Sequence, residues 1–126
     1  MIIYLAAPWV CRAGAREIRD LLQQLPGIRV HARWLDVDET RTTQTQEARN
    51  DLDDIDAADV LVVLNLEKSE GKAFEQGYAY CRRIPVVIVG EPRLNVFQHL
   101  PDVIVVEDVS AAIDWLMDFV PRKVAT

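Results

Sequence analysis

The stretch Gly71-Lys72-Ala73-Phe74-Glu75-Gln76-Gly77-Tyr78-Ala79 sets one carboxylate, Glu75, near the start of an expected helix. That helix follows Val60-Leu61-Val62-Val63-Leu64, a continuous apolar run of the kind that forms a parallel strand covered on both faces. Gly71 allows a tight turn between them, and Phe74, Gly77, Tyr78 and Cys81 recur at helical spacing as the expected packed stripe. Ligands of open α/β sheets bind just outside the carboxyl ends of the strands, which puts Glu75 beside a ligand. A helix N-terminus favours the ionised form of an acid, and an ionised, oriented carboxylate is what covalent chemistry at a sugar carbon requires. The competing reading is plain: any helix favours an acid in its first turn through capping and the macrodipole.

Holding Glu75 in place requires strands and helices in alternation. Ile2 to Ala6 reads as a first strand running into Ala7-Pro8-Trp9. A helix over about Gly14 to Gln24 turns Ile18, Leu21, Leu22 and Leu25 inward, and Pro26-Gly27 stops it. Ile28 to Ala32, reaching toward Leu35, reads as a second strand, and Asp36 to Arg41 as a loop. Thr43 and Gln46 have capping-box spacing ahead of a helix to about Ala57 with Ala48, Leu52 and Ile55 as its stripe. Asp51 flanks that stripe as a partly buried acid near the strand ends, whereas Glu47, Asp53, Asp54 and Asp56 read as a solvated face. Val86 to Val89 and Val103 to Val106 are strands four and five. The last helix, about Ser110 to Phe119, packs Ala112, Ile113, Leu116 and Val120 and carries Trp115, with a frayed tail from Pro121. The expected fold is one α/β domain over residues 1–126: a flavodoxin-like three-layer α/β/α sandwich with a five-stranded parallel sheet in the order 2-1-3-4-5.

The chain has 126 residues, half of them apolar, and a net charge of -6, as expected for a soluble acidic domain. That acidity argues against a duplex nucleic-acid face, though a few local arginines can still hold one phosphate. Cys11 and Cys81 lack metal-like spacing and are expected to be reduced in a cytoplasmic setting, Cys81 as core packing and Cys11 at the rim of a pocket. His31 and His99 form no ligand pair, and neither a metal nor another cofactor is expected. Met1 leads straight into a strand, with no signal peptide or membrane-spanning run expected.

The loops exclude several chemistries. Ala6-Ala7-Pro8-Trp9 carries no dinucleotide glycine fingerprint, and a P-loop and a flavin phosphate loop are missing. A phosphorelay receiver would end its third strand in aspartate, where this chain has Leu64-Asn65. Tyr4, Trp9, Asp51 and Glu75 remain as the polar and stacking candidates.

These residues resemble the nucleoside 2-deoxyribosyltransferase family over almost the whole chain, from Ile2 to about Leu116. Ile3-Tyr4-Leu5-Ala6 looks like its first strand, Asn50-Asp51-Leu52-Asp53-Asp54-Ile55 with Ala58-Asp59-Val60 like its second signature, and Glu75-Gln76-Gly77-Tyr78-Ala79 like its third. The resemblance implies that Glu75 is the nucleophile in a double displacement at C1′ of a 2-deoxyribose. It also implies that Tyr4 orients Glu75, that Asp51 contacts or protonates the base, and that Trp9 stacks on it. Homo-oligomers are implied as well, with Asn95, and beside it Phe97 and His99, reaching a neighbouring subunit's site. The expected partners are a deoxynucleoside or deoxynucleotide and a free nucleobase.

The sequence departs from that pattern at Ser69, where well-known transferases carry an acid six residues before the nucleophile. Asp51, Glu67 or Glu70 would have to replace it. A serine there resembles the deoxynucleoside 5′-monophosphate N-glycosidase branch, in which Ser69, Gly71 and the nearby amides, with Arg12 of Arg12-Ala13-Gly14-Ala15-Arg16, would bind phosphate. The competing readings are a helix-capping Ser69 and a solvated Arg12. Two further alternatives stand: a nucleotide-binding module without chemistry, and an NAD glycohydrolase of the Toll/interleukin-receptor-like type.

Overall fold

The computed structural model describes the backbone of residues 1–125 and side-chain surroundings through residue 119. Nine principal elements follow one another: β1 (Ile2–Ala6), α1 (Arg12–Gln23), β2 (Arg29–Val30), α2 (Gln44–Asp56), β3 (Val60–Leu64), α3 (Glu70–Cys81), β4 (Val86–Val89), β5 (Ile104–Val106) and α4 (Val109–Ala125). Short 3₁₀ turns cover Trp9–Cys11, Arg33–Asp36 and Val96–His99. All strand pairs are parallel and the sheet runs β2-β1-β3-β4-β5, as the alternating pattern predicts. Its centre is fixed by Ile3 opposite Val60 and Leu61 opposite Val86. β3 is buried along its whole length, which is why its sequence is unbroken aliphatic. α2 and α3 pack together, α3 lies over β1, β3 and β4, and α4 covers β4 and β5.

Several local expectations are corrected. The second strand is only Arg29–Val30, because the chain turns into 3₁₀ geometry at Arg33 and buries Leu35 from there. α1 begins at Arg12 and packs Ala15 and Leu22, leaving Leu21 exposed. Gly27, at φ 77°, makes the reversal after it. The Thr43 hydroxyl accepts from the Gln46 backbone N–H, but the Gln46 side chain turns to Asn50, so the capping box is one-sided. On α2, Asp54 rather than Ala48 is buried with Ile55. Asp54 is fully enclosed and accepts from the Arg33 backbone and guanidinium, with His31 Nε2 at 3.2 Å. It clasps the chain after β2 to α2.

The buried face of α3 is Lys72, Gln76 and Ala79, not the expected stripe. Phe74 and Cys81 are exposed, so Cys81 is not core packing. Polar Lys72 and Gln76 can be buried because each has oxygen partners: Asn65 Oδ1 and the Glu67 carbonyl for Lys72, the Phe97 carbonyl for Gln76. α4 runs past the expected end to Ala125, and Val120 lies outside the residues whose side chains are described.

Candidate active site

In a sheet of this order the crevice opens where β1 and β3 send their connections to opposite sides. A cavity of about 380 Å³ lies there, within the size range of small-molecule sites. Trp9 and Ala7 reach it from the end of β1, Asp51 and Leu52 from α2, and Ser69, Gly71 and Glu75 from the turn after β3 and from α3. Trp34, on the 3₁₀ turn that interrupts β2, forms another wall.

Tyr4 is fully buried in β1, and its phenol donates a hydrogen bond to Glu75 Oε2. Burial pushes the Glu75 carboxyl from its ordinary 4.5 up to about 8, the Tyr4 hydrogen bond pulls it down, and the Asp51 charge adds to the rise. This corrects the expectation of a carboxylate ionised by the helix dipole. α3 begins at Glu70, so Glu75 sits in the second turn, and the dipole fades beyond the first. Burial also raises Asp51, to about 6, with Asp54 and Glu47 adding to the rise and Arg33 opposing it. Tyr4 itself is raised well above the usual phenol value by burial and then by Glu75. The phenol therefore stays a donor across the working pH range.

Ser69 both caps α3, accepting from the Lys72 N–H at 3.2 Å, and lines the cavity. Arg12 does not line it: its guanidinium donates to the Val37 carbonyl at 3.0 Å and lies 4.4 Å from the Trp9 ring centroid. Arg12 thus props the tryptophan. Asn95 caps the Val96–His99 turn through the Phe97 N–H and is not brought to Glu75 within the chain. It borders a neighbouring recess shared with Ser69 and Lys72. Of the acids considered as replacements at the Ser69 position, Asp51 alone lines the Glu75 cavity.

The cavity is also lined by residues the sequence does not mark, among them Trp34, Glu47 and Lys72. Trp34 donates from Nε1 to the Leu5 carbonyl at 2.8 Å, and its ring centroid is 6.2 Å from that of Trp9. It lay within the run read as strand, where an aromatic carries no site signal. Glu47, expected on a solvated face, lines the cavity, as does Lys72. A lysine among helix residues ordinarily reads as surface.

Two carboxyls whose titration burial shifts, set in an aromatic-walled cleft, are the groups from which cleavage of a glycosidic bond is built. Residues 3–114 match the pattern that defines the family described as Nucleoside 2-deoxyribosyltransferase, and the chain belongs to that family of N-glycosidic-bond enzymes. No curated protein matches the sequence. Among solved structures, a 2-deoxyribosyltransferase from Bacillus psychrosaccharolyticus is 21% identical with a TM-score of 0.67, over 90% of each chain. A CMP N-glycosidase from Clostridium botulinum is 18% identical with a TM-score of 0.64, over 94% of this chain and 99% of the other. A conserved protein from Enterococcus faecalis is 20% identical with a TM-score of 0.66, over 90% and 95%. At these identities the likeness is one of fold.

Proposed function

We propose that the protein cleaves the N-glycosidic bond of 2′-deoxynucleosides through a covalent deoxyribosyl-Glu75 intermediate. The observation that carries this reading is the Tyr4–Glu75 hydrogen bond at the base of a cavity that also holds Asp51. The Glu75 carboxylate attacks C1′ as the C1′–N bond breaks, and the departing base takes its proton from Asp51. Trp9 and Trp34 offer the flat surfaces against which a base stacks. A second base attacking C1′ of the glycosyl ester makes the reaction a transfer, and water attacking it makes it a hydrolysis. Either attack returns Glu75 as carboxylate, and the proton lost by the attacking base or water restores the Asp51 carboxyl.

A second reading, hydrolysis of deoxynucleoside 5′-monophosphates, is favoured by Ser69. It stands at the cavity with no acid in its place, and it caps the N-terminus of α3 there. The two readings are separated by chromatography of deoxynucleosides and their 5′-monophosphates incubated with the protein, with and without a free base. Glu75→Gln is the control. Base exchange on nucleosides supports transfer, base release from monophosphates alone supports the hydrolase, and no Glu75-dependent turnover sinks both.

The working unit in this proposal is a homo-oligomer. Phe74, Tyr80 and Phe97 are exposed apolar residues lining a hollow between α3 and the Val96–His99 turn, beside Asn95. A second copy covering that face would bring Asn95 to the edge of its own site.

A further inference from the structure

Lys72 is 3% exposed, yet no carboxylate among the described residues lies within ion-pair distance of it. Its Nζ donates to two neutral oxygens, Asn65 Oδ1 at 3.1 Å and the Glu67 carbonyl at 2.8 Å. An ammonium carries three N–H groups, so one is left without a protein acceptor among the described residues. Burying a charge without a counter-charge is costly, and burial here pushes the lysine down from its usual value, against the Cys11 and Glu67 charges. The residue is nonetheless held firmly. Asn65 is itself locked in a mutual amide pair with buried Gln98 at 2.8 and 3.0 Å, and it donates to the Glu91 carbonyl. Lys72 is also the single cationic side chain among the residues lining the Glu75 cavity, whose other charged groups are Glu47, Asp51 and Glu75. Beyond Ser69 and Lys72 the cavity adjoins a recess of about 180 Å³, bordered by Lys68, Glu70, Leu94 and Asn95.

We propose that Lys72 is the specificity-determining cation of this site, supplying the positive charge that selects a substrate bearing a phosphomonoester on its sugar. The proposal rests on the monophosphate reading above and deepens it by moving the phosphate-facing charge from Arg12, engaged on Trp9 and Val37, to Lys72. The Ser69 hydroxyl, which lines the same cavity, lies beside it as a hydrogen-bonding partner for the same anion. Glu70 at the recess disfavours anions, which makes a buried cation the more necessary.

The test compares wild type, Lys72→Gln and Lys72→Arg. Glutamine keeps hydrogen bonding toward Asn65 and Glu67 without the charge, and arginine keeps the charge. Base release from each 5′-monophosphate and its parent nucleoside gives the ratio of their kcat/KM values, and inorganic phosphate is titrated as a competitive inhibitor. Lys72→Gln is expected to lower that ratio by about 30-fold, chiefly through KM for the monophosphate, and to weaken phosphate inhibition similarly. Lys72→Arg is expected to restore most of both. An equal loss on both substrates, with phosphate inhibition unchanged, would overturn the proposal and leave Lys72 as a brace. If wild type acts on nucleosides alone, the monophosphate reading falls, and phosphate inhibition then decides: sensitivity lost in Lys72→Gln supports an anion site at Lys72, while no inhibition of wild type overturns it. Calorimetric titration of phosphate into both proteins decides in the same way if no turnover is found or if Lys72→Gln melts early.

Discussion

Tyr4 and Glu75, 71 positions apart in the chain, are joined by a hydrogen bond from the phenol of β1 to the carboxyl of α3. The bond favours the ionised carboxyl against the opposing pressure of burial, which holds Glu75 at about 8. Since attack needs the carboxylate, kcat/KM for a 2-deoxyriboside whose leaving group needs no proton is expected to climb with pH through a limb near 8. Tyr4→Phe removes the hydrogen bond that lowers Glu75, so the limb moves to higher pH. Activity at pH 7 is expected to fall about 10- to 100-fold, the range of a hydrogen bond to a charged group. A pH–rate profile of both proteins checks this, and an unmoved limb sinks it.

Stability carries the same signature with the sign worked through. The Glu75 carboxyl is raised from 4.5 to about 8, so between those values the native state keeps a proton that the unfolded chain has released. Native stability from this group is therefore full below about pH 4.5 and is lost as pH rises through 8. Glu75→Gln cannot ionise and keeps an acceptor for Tyr4. It is expected to melt about 5 °C above wild type at pH 8 and level with it at pH 4.5. Thermal melts across that range give the comparison.

Asp51→Asn tests the proton donor. Base release is expected to drop by about 10² to 10⁴, while cleavage of a 2-deoxyriboside with a p-nitrophenolate leaving group, which needs no proton, drops far less. The pH–rate limb near 6 is expected to vanish along with the carboxyl that titrates there. Equal losses on both substrates would assign Asp51 to binding alone.

Asp54→Ala is a stability prediction. The substitution strips the Arg33 backbone N–H of its acceptor at 2.9 Å and breaks the pair to the guanidinium at 2.8 Å, whose head is already half in solvent. A cost of about 2–3 kcal/mol is expected in urea unfolding, against near neutrality for Asp53→Ala on the exposed side of α2.

Phe97→Glu places a charge in the apolar face between α3 and the Val96–His99 turn, where Phe97 is 66% exposed in the single chain. Sedimentation velocity is expected to show an oligomer for wild type and monomer for the variant, with a matching loss of turnover. A monomeric wild type would overturn the oligomer and the role given to Asn95.

The strand order was readable because β1, β3 and β4 are aliphatic runs with helical periods between them, and this pattern admits few topologies. That Glu75 and Asp51 border the cleft follows from their places beside strand ends. What misled were residues whose burial depends on partners distant in sequence. Lys72 and Gln76 look like surface, and Phe74 and Cys81 like core, until Asn65, Glu67 and the Phe97 carbonyl are placed in space. Asp54 was misread for the same reason, because Arg33 and His31 arrive from the other side of a turn. Trp34 was hidden inside an apolar run whose period does not separate a strand from a 3₁₀ turn.

Trp9 and Trp34 face the cavity, while the third tryptophan, Trp115, stacks on Phe119 beside Pro85, at the opposite end of the sheet. The molecule thus carries its own optical gauge. A purine or pyrimidine entering the cavity quenches the emission of the first pair and leaves Trp115 as an internal reference. With Trp115→Phe the whole signal comes from the site, so occupancy can be followed on the stopped-flow timescale without a label and before any bond is broken.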